Sequence, residues 1–359
     1  MIQQTKGGCT MKAVVKADRG HGVQVKEVET PRLEKDQVLV KVEAASICGS
    51  DLHMYEGMNA YEWVPTPVIL GHEFTGKVVK AENPNHEYLL DKRVIIKCGH
   101  CKNCQKGNTN LCDHGNGSMS KVAAESLRYG FRENGGMAEY AAIYYQNVLE
   151  IPDEIPSEVA GLLEAVGIGV RAIERASLLP GDTAVVIGPG PIGLSMIASL
   201  SNYGFERLIV TGLTQDEERL KLAKELGATD IVYADKENVV DAISRITDGE
   251  GVDHVFETSG FHQSLVDGVR MCSKGAEILL VGISAKDTIL PTNEIVRGEI
   301  TVKGVYGVTE KTLKRTISMA ASGKYPYEKL VSDKFSLDNA VNGFEVGLAK
   351  EAIKVILEP

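Results

Sequence analysis

Cysteine is scarce in this chain, with seven residues in 359. Secreted proteins that depend on disulfides for a small fold carry a much higher proportion of cysteine. No targeting segment is visible in the sequence either. We therefore expect a cytoplasmic protein whose thiols are reduced and available to bind metal.

Unbroken hydrophobic runs of membrane-spanning length are also missing. The uncharged stretch 183–205 is long enough, but Gly188-Pro189-Gly190-Pro191 interrupts it and the remainder is too short. Blocks of basic residues are absent and the formal net charge is −10, which argues against nucleic acid as a partner. We expect neither a membrane nor a nucleic-acid partner.

The composition that is present is typical of a globular protein. Hydrophobic residues make up 43 % of the chain and charged residues 25 %, which allows large buried cores. A chain of 359 residues has room for two domains of ordinary size.

Four of the seven cysteines fall within one short segment, with two, two and seven residues between them. They are Cys98, Cys101, Cys104 and Cys112. Four thiolates brought together by short turns make a closed tetrahedral zinc site, which stabilises a fold and leaves no position for substrate. A pair of disulfides and an iron–sulfur cluster are the alternatives, but the usual cluster spacing has a later proline and three residues before the fourth cysteine. The pattern predicts a structural zinc site, with His100 as a turn residue.

The second half of the chain alternates between β-rich and helical segments. Strands are predicted at Ala184–Ile187, Leu208–Thr211, Ile231–Tyr233, His254–Glu257, Glu277–Val281 and Thr301–Val305. A helix is predicted at Asp216–Leu226, because its apolar residues recur on one face. Such alternation is typical of a doubly wound parallel sheet.

A glycine-rich turn lies between the first of these strands and the helix that follows. It reads Gly188-Pro189-Gly190-Pro191-Ile192-Gly193. Gly188 would allow the tight turn, Gly190 a close approach of a pyrophosphate, and Gly193 close packing of helix on strand. The strand before it and the helix after it are the context in which this pattern indicates dinucleotide binding.

The residue that normally selects between NAD and NADP is not present. An NAD site usually has an acidic residue at the end of the second strand, where this chain has Gly212. No arginine stands where it would bind a 2′-phosphate instead. Thr214 could bind such a phosphate, although Thr214-x-x-Glu217 favours a helix capping box. The cofactor prediction therefore remains NAD or NADP.

A second group of possible metal ligands is spread over the first half of the chain. Cys48, His72, Glu73 and Glu164 offer one thiolate, one imidazole and two carboxylates. Each alone is unremarkable, since buried cysteines and helix-capping glutamates are common. Together they suffice for an open zinc site with water in the last position.

These motifs together resemble the zinc-dependent medium-chain dehydrogenase/reductase family over nearly the whole chain. The matching segments, in order, are Cys48-x-Ser50-Asp51-x-His53, Gly71-His72-Glu73, the four-cysteine lobe, Gly135-Gly136-Met-Ala-Glu-Tyr140 and the glycine-rich turn. The resemblance implies an α/β protein with a GroES-like, mostly β catalytic domain and a Rossmann cofactor domain. The catalytic domain would be 1–160 with 305–359, the zinc lobe about 97–113, and the cofactor domain 161–304.

The resemblance also implies a ligand set for the catalytic zinc. Cys48, His72 and Glu164 match its three protein ligands, and the glutamate in place of a second cysteine resembles the polyol, sugar and threonine branches. Glu73 would join the metal or exchange with water. With the four-cysteine site, two zinc ions per chain are expected.

Three residues near Cys48 match the family's proton-handling groups. Asp51 matches the carboxylate that accepts a hydrogen bond from the zinc-bound imidazole and orients it. Ser50 and His53 match the relay that carries the alcohol proton to solvent. The alternative for His53 is an ordinary surface histidine.

The expected function is hydride transfer between NAD(P) and a secondary alcohol of a polyol, sugar or related small molecule. Bound zinc would lower the pKa of the alcohol, and the nicotinamide would take the hydride. The alternatives are a non-catalytic dinucleotide-binding relative and an L-threonine dehydrogenase-like specificity; the metal-ligand set disfavours a zinc-free quinone reductase. We expect a small alcohol or ketone as substrate and a homodimer or homotetramer.

Overall fold

The computed structural model describes residues 9–97, 102–111, 129–284 and 286–359. The chain divides into two compact units. The first takes in the chain up to Glu164 together with Thr309–Lys324 and Val331–Pro359. The second contains Ala165–Val308 and Tyr325–Leu330.

Sixteen strands are present in the described residues. They are β1 (Thr10–Lys16), β2 (Gln24–Glu29), β3 (Gln37–Ser46), β4 (Val68–Ile69), β5 (Phe74–Ala81), β6 (Arg93–Ile96), β7 (Tyr140–Tyr144), β8 (Val148–Glu150), β9 (Thr183–Ile187), β10 (Arg207–Gly212), β11 (Asp230–Tyr233), β12 (Val252–Glu257), β13 (Cys272–Leu280), β14 (Thr301–Gly304), β15 (Val331–Ser336) and β16 (Lys354–Glu358).

The α-helices of the same residues are α1 (Gly49–Glu56), α2 (Lys102–Gln105), α3 (Ser157–Ala160), α4 (Leu163–Arg175), α5 (Pro191–Leu200), α6 (Glu217–Glu225), α7 (Val239–Ile246), α8 (His262–Met271), α9 (Thr292–Gly298), α10 (Glu310–Ala321) and α11 (Ala340–Leu348). Short 3₁₀ turns lie at Asn59–Tyr61, Pro84–Leu89, Thr109–Leu111, Tyr145–Asn147, Thr214–Asp216, Tyr327–Leu330 and Leu337–Asn339. No described helix is long and apolar enough to cross a membrane.

The first unit is mostly β. One sheet has the order β2-β1-β4, and a second runs β15-β16-β3-β5-β6-β8 with β7 also paired to β3. Within β3, Val38, Val40 and Val42 alternate inward and are at most 4 % exposed. Such alternation is expected where one face of an antiparallel sheet covers a core.

The centre of the larger sheet brings together three distant parts of the chain. β3 pairs antiparallel with β5, with Ala45 opposite Phe74. On its other side β3 pairs antiparallel with β16, with Ser46 opposite Ile356. The carboxyl end of β3 therefore lies beside the start of β5 and the middle of β16.

The second unit is built on a six-stranded parallel sheet with the order β11-β10-β9-β12-β13-β14. This is the strand order of a doubly wound dinucleotide-binding fold. The central strand β9 is buried along its whole length. Strands covered by helices on both faces read as continuous apolar runs, which is why the sequence pattern identified them.

Most predicted strands and helices are present with ends shifted by one or two residues, and two larger differences from the sequence-based expectation occur. β13 begins at Cys272 rather than at Glu277, and its pairing with β12 shifts register between Val252 and His254. Gly275 has φ +82° in this irregular part, which interrupts the apolar pattern that the prediction used. The capping prediction for Thr214 is wrong, because Thr214 starts a 3₁₀ turn and Asp216 is the N-cap of α6.

Candidate functional site

Helix α1 and its N-cap place four of the predicted site residues. Cys48 is the N-cap, and Oδ2 of Asp51 accepts a hydrogen bond from the Cys48 amide at 2.9 Å. A carboxylate at this position satisfies an amide that the helix itself leaves unpaired. The cap fixes the Cys48 backbone, and Ser50 and His53 follow three residues apart on the same helix.

A close backbone contact positions His72 and Glu73. Gly71 has φ +95°, and a Cβ built on it would lie 2.8 Å from the amide nitrogen of Met137. The amide of Gly136 donates to the Gly71 carbonyl oxygen at 2.9 Å. Glycine is therefore required before His72, where a side chain would force the two segments apart.

Cys48, His72 and Glu73 converge in the first unit. One ligand atom from each lies within 4.8 Å of the other two. Glu73 is buried, whereas Cys48 and His72 are half-buried. The structure thus brings together three of the four side chains expected around the catalytic zinc; Glu164 is not one of this group.

Several polar atoms around this cluster lack hydrogen-bond partners among the described residues. They are Ser50 Oγ, Asp51 Oδ1, His72 Nδ1 and Glu73 Oε1. Native proteins seldom leave buried polar atoms unpaired, so a group of them indicates a missing ligand or ion. A thiolate, an imidazole and a carboxylate at this separation fit zinc.

Neighbouring charges dominate the electrostatics of His72. Burial by itself would lower its pKa, but Cys48, Asp51 and Glu73 together raise the pKa of His72 to about 10. Its Nδ1 lies 3.9 Å from Asp51 Oδ2, beyond hydrogen-bond length. Burial raises the pKa of Asp51, against the opposing effect of His72. The orienting role expected of Asp51 stays a prediction.

Glu73 forms a buried ion pair with a lysine that lies 281 positions later in the chain. Lys354 Nζ lies 2.5 Å from Glu73 Oε2, and Ser46 Oγ donates to the same oxygen. Burial would raise the pKa of Glu73, but Lys354, His72 and Ser46 lower it. Glu73 is therefore held as a carboxylate.

Glu164 lies in the first turn of α4 and is half-buried. Burial, and next the charge of Glu73, raise the pKa of Glu164 to about 7, against the effects of His72 and Lys354. Its carboxyl group is thus close enough to the cluster to be influenced by it. Whether it binds the metal stays a prediction.

The two residues of the expected proton relay differ in exposure. Ser50 is half-buried and its Oγ lacks a partner in the described part of the chain, whereas His53 is exposed. The ring of His53 is tilted against that of Tyr61, with centroids 5.8 Å apart. A path from a buried hydroxyl to a solvent-exposed imidazole is what a relay requires.

Most of the predicted structural zinc site lies outside the described residues. Cys98, Cys101 and Cys112 lie outside the described residues, together with His100. Cys104 is described and belongs to α2.

The glycine-rich turn of the second unit has the geometry of a phosphate-binding loop. Gly188 has φ +100°, and a Cβ on Gly193 would lie 2.1 Å from the Gly188 carbonyl oxygen. A Cβ on Gly190 would have no atom within 4 Å, so space is open beside it. Gly190 is the N-cap of α5, whose first residue is Pro191. Open space at a helix N-terminus suits a pyrophosphate.

The end of β10 is more crowded than the sequence suggested. A Cβ on Gly212 would lie 2.9 Å from Pro189 Cγ and 3.1 Å from Leu220 Cδ2. The amide of Thr214 donates to Asp235 Oδ1 at 2.9 Å. An acid from the segment after β11 therefore lies beside the position where β10 has none.

Sequence reasoning missed Lys354, Ser46 and Asp235. Lys354 lies in Ala-Ile-Lys-Val-Ile-Leu, where a single lysine in a strand is normally a solvent-facing residue. Only the pairing of β16 with β3 places it beside Glu73. Long-range strand pairing of this kind has no local signal.

Comparison with known proteins bears on both units. Residues 34–153 match the model of the alcohol dehydrogenase GroES-like domain. Residues 191–322 match that of the zinc-binding dehydrogenase domain. These matches confirm the fold class expected from the motifs.

The L-threonine 3-dehydrogenase of Bacillus velezensis is 32 % identical over 98 % of this chain and 100 % of its own length. Among solved structures, 2R,3R-butanediol dehydrogenase from Bacillus subtilis is 30 % identical with a TM-score of 0.86, covering 97 % of this chain and 99 % of that one.

A zinc-binding dehydrogenase from Sinorhizobium meliloti, described as putative and bound to NADP, is 27 % identical with a TM-score of 0.86. It covers 98 % of this chain and all of its own. With a convergent cysteine, histidine and glutamate in one unit and a glycine-rich turn at a helix N-terminus in the other, the chain belongs to the zinc-dependent medium-chain alcohol dehydrogenase family of oxidoreductases.

Proposed function

We propose that this protein is a zinc-dependent NAD(P) dehydrogenase of a small secondary alcohol that carries a neighbouring polar group. The observation that carries the proposal is the cluster of Cys48, His72 and Glu73, whose ligand atoms lie within 4.8 Å of one another. Unpaired buried polar atoms surround this cluster, as expected where an ion binds.

Cys48, His72 and one carboxylate, from Glu73 or Glu164, would hold the zinc. When bound, zinc supplies a Lewis acid that lowers the pKa of an alcohol hydroxyl. Ser50 would accept the hydroxyl proton and His53 would pass it to solvent. Asp51 would keep the imidazole of His72 oriented.

The dinucleotide would bind the turn that contains Gly188, Gly190 and Gly193, with its phosphates at the N-terminus of α5. Pro189, Pro191 and Ile192 shape this turn, and Gly212 and Thr214 would lie near the adenosine ribose. The absence of an acid on β10 admits NADP, whereas Asp235 adds a negative charge beside Thr214. Both cofactors therefore belong in the test.

Two substrate types are supported by relatives of similar likeness. The L-threonine dehydrogenase of Bacillus velezensis favours an amino-alcohol, and the butanediol dehydrogenase of Bacillus subtilis favours a vicinal diol. Polyols and sugars contain the same diol unit. In each substrate the reacting hydroxyl is secondary and has a polar neighbour.

The test is an assay of zinc-loaded protein with L-threonine, 2,3-butanediol, sorbitol and a sugar panel, each with NAD and NADP. We expect turnover with at least one alcohol, followed by absorbance of the reduced cofactor. Cys48→Ser should abolish it because a metal ligand is lost. Cys272→Ser is the matched control, since Cys272 lies at the start of β13 in the second unit.

Metal content provides an independent measurement. We expect two zinc ions in the wild-type protein and one in Cys48→Ser, the remaining ion belonging to the proposed site of Cys98, Cys101, Cys104 and Cys112. Full activity in Cys48→Ser, or turnover that survives complete removal of metal, would refute the proposed function.

A further inference from the structure

Lys354 is buried in the first unit, with 5 % of its side chain exposed. Its ammonium group donates to the Ile47 carbonyl oxygen at 3.0 Å and forms the ion pair with Glu73. A buried lysine loses its hydration, so it requires partners of this kind to stay charged. No step of the proposed reaction uses it.

The two oxygens of Glu73 have different surroundings. Oε2 accepts from Lys354 and from Ser46, whereas Oε1 has no hydrogen-bond partner in the described parts of the chain. An oxygen that accepts two hydrogen bonds, one of them from a cation, is a poor metal ligand. In Glu73, Oε2 is therefore occupied by hydrogen bonds, and Oε1 is the oxygen that can bind a metal ion.

The position of Glu73 makes this asymmetry important. A carboxylate oxygen of Glu73 lies within 4.8 Å of possible ligand atoms of Cys48 and His72, and the charge of Glu164 is close enough to be influenced by Glu73. A catalytic zinc site has to keep one coordination position for water or substrate. A carboxylate free to offer both oxygens would compete for that position.

We propose that Lys354 is a positioning residue for the metal centre. With Ser46, it holds one oxygen of Glu73 and limits this carboxylate to at most one bond with the metal. The position that substrate needs is thereby kept open. This inference rests on the proposed function, because it requires a metal ion at Cys48 and His72.

The test measures release of Zn²⁺ to a chromogenic chelator from Lys354→Met, which keeps the length of the side chain and removes its charge. We expect release from the Cys48 site to slow by roughly tenfold, because Glu73 would then bind the ion more fully; outer partners of metal ligands usually shift affinity by 10- to 100-fold. If Lys354 only supported the fold, Lys354→Met would release Zn²⁺ faster than the wild type, because loss of the lysine would loosen the site.

A second readout is the visible spectrum of the Co²⁺-substituted protein. An added Glu73 oxygen would raise the coordination number, and five-coordinate Co²⁺ absorbs more weakly than tetrahedral Co²⁺. We expect a weaker band in Lys354→Met than in the wild type. The spectrum of Cys48→Ser, subtracted from each, isolates this site from the four-cysteine site.

Two further variants keep the test decisive if Lys354→Met does not fold. Ser46→Ala removes the other donor to the same oxygen and should slow Zn²⁺ release in the same direction, by less. Lys354→Met with Glu73→Gln removes both charges and should return release to the wild-type rate, because a neutral amide is a weak zinc ligand.

The proposed role of Lys354 is wrong if Zn²⁺ release is unchanged or faster in both Lys354→Met and Ser46→Ala. In that case the proposed function still stands, provided that the wild type binds metal at the Cys48 site. If the wild type and Cys48→Ser hold the same amount of metal, the proposed function itself is wrong. The two failures therefore give different results.

Discussion

At the scale of single residues, the first unit concentrates ionisable groups in a buried site. His72, Glu73, Asp51 and Lys354 influence one another, and every one of them has a pKa displaced from its ordinary value. Strongly displaced values with specific charged neighbours are typical of functional sites. Cys48, Asp51 and His72 could be named from the sequence because they lie in two short motifs, Cys48-x-Ser50-Asp51-x-His53 and Gly71-His72-Glu73, that resemble those of a known family.

Glu164 gives a prediction about pH for protein stripped of the metal at the Cys48 site. Its folded pKa of about 7 lies above the ordinary value of 4.5, so the folded protein holds this proton more tightly. Stability relative to Glu164→Gln should therefore fall as the pH rises from 4.5 to about 7, and should level off above that. Thermal unfolding of both proteins across this range measures the difference.

Metal loading is the control for this prediction, because a bound cation favours the ionised carboxylate and should remove or reverse the trend. A difference between wild type and Glu164→Gln that does not change with pH would show that burial does not hold the proton on Glu164.

At the scale of the element, the glycines of the turn between β9 and α5 are there for different reasons. The fold requires some of them, and we expect a ligand to require one. Gly193 lies against the Gly188 carbonyl, whereas Gly190 borders open space. In the sequence motif the two glycines look equivalent. Only the geometry shows that a side chain would be excluded at the two positions for different reasons.

Gly190→Ala should leave the melting temperature nearly unchanged and sharply weaken binding of NADH and NADPH, because the new methyl group enters the space proposed for the pyrophosphate. Gly193→Ala should destabilise the protein by about 1–3 kcal/mol, because its methyl group meets a backbone carbonyl. Thermal unfolding and cofactor fluorescence titration distinguish the two. Unchanged NADH and NADPH affinity in Gly190→Ala would mean that phosphates do not bind here.

Gly212 allows the choice of cofactor to be tested with a matched pair. Gly212→Asp and Gly212→Ala both place a Cβ against Pro189, so both should weaken binding of the two cofactors. Only aspartate adds a charge that repels a 2′-phosphate. We expect the NADPH-to-NADH ratio of dissociation constants to rise in Gly212→Asp relative to Gly212→Ala; equal ratios would mean that β10 does not end beside the ribose.

At the scale of the whole molecule, the segment of the second unit that precedes β14 exposes several apolar side chains. The side chains of Ile283, Ile289 and Val296 are 82 %, 93 % and 75 % exposed. Next to them in the chain is β14, the edge strand of the sheet, where Val302 is 37 % exposed. Exposed apolar patches and unpaired edge strands are typical of interfaces.

We expect the protein to form a dimer or tetramer through this region. Ile289→Asp should weaken the assembly and lower the mass measured by light scattering at micromolar concentration, because a charge would have to be buried there. Leu179→Asp is the control, since Leu179 is 66 % exposed elsewhere in the same unit. A monomeric wild type would remove this expectation.

The fold was more predictable than the details of the site. The strands of the second unit were visible because parallel strands leave continuous apolar runs, as in Val185, Val186 and Ile187. The role of Lys354 was not visible, because it depends on β16 pairing with β3 across the whole chain. Asp235 was hidden for a similar reason, since its contact with Thr214 depends on neighbouring parallel strands.

The ion pair between Glu73 and Lys354 also sets an order of events in the cell. Its partners are 281 positions apart, and Cys48 and His72 precede both the second unit and Lys354. A ribosome adds roughly 5 to 20 residues per second, so on the order of 14 to 56 s separates synthesis of Glu73 from synthesis of Lys354. During that interval the thiol, imidazole and carboxylate exist without their counter-cation. Metal captured by the nascent chain would therefore meet a Glu73 without its lysine partner, and the open coordination position would be secured only when β16 joins the sheet.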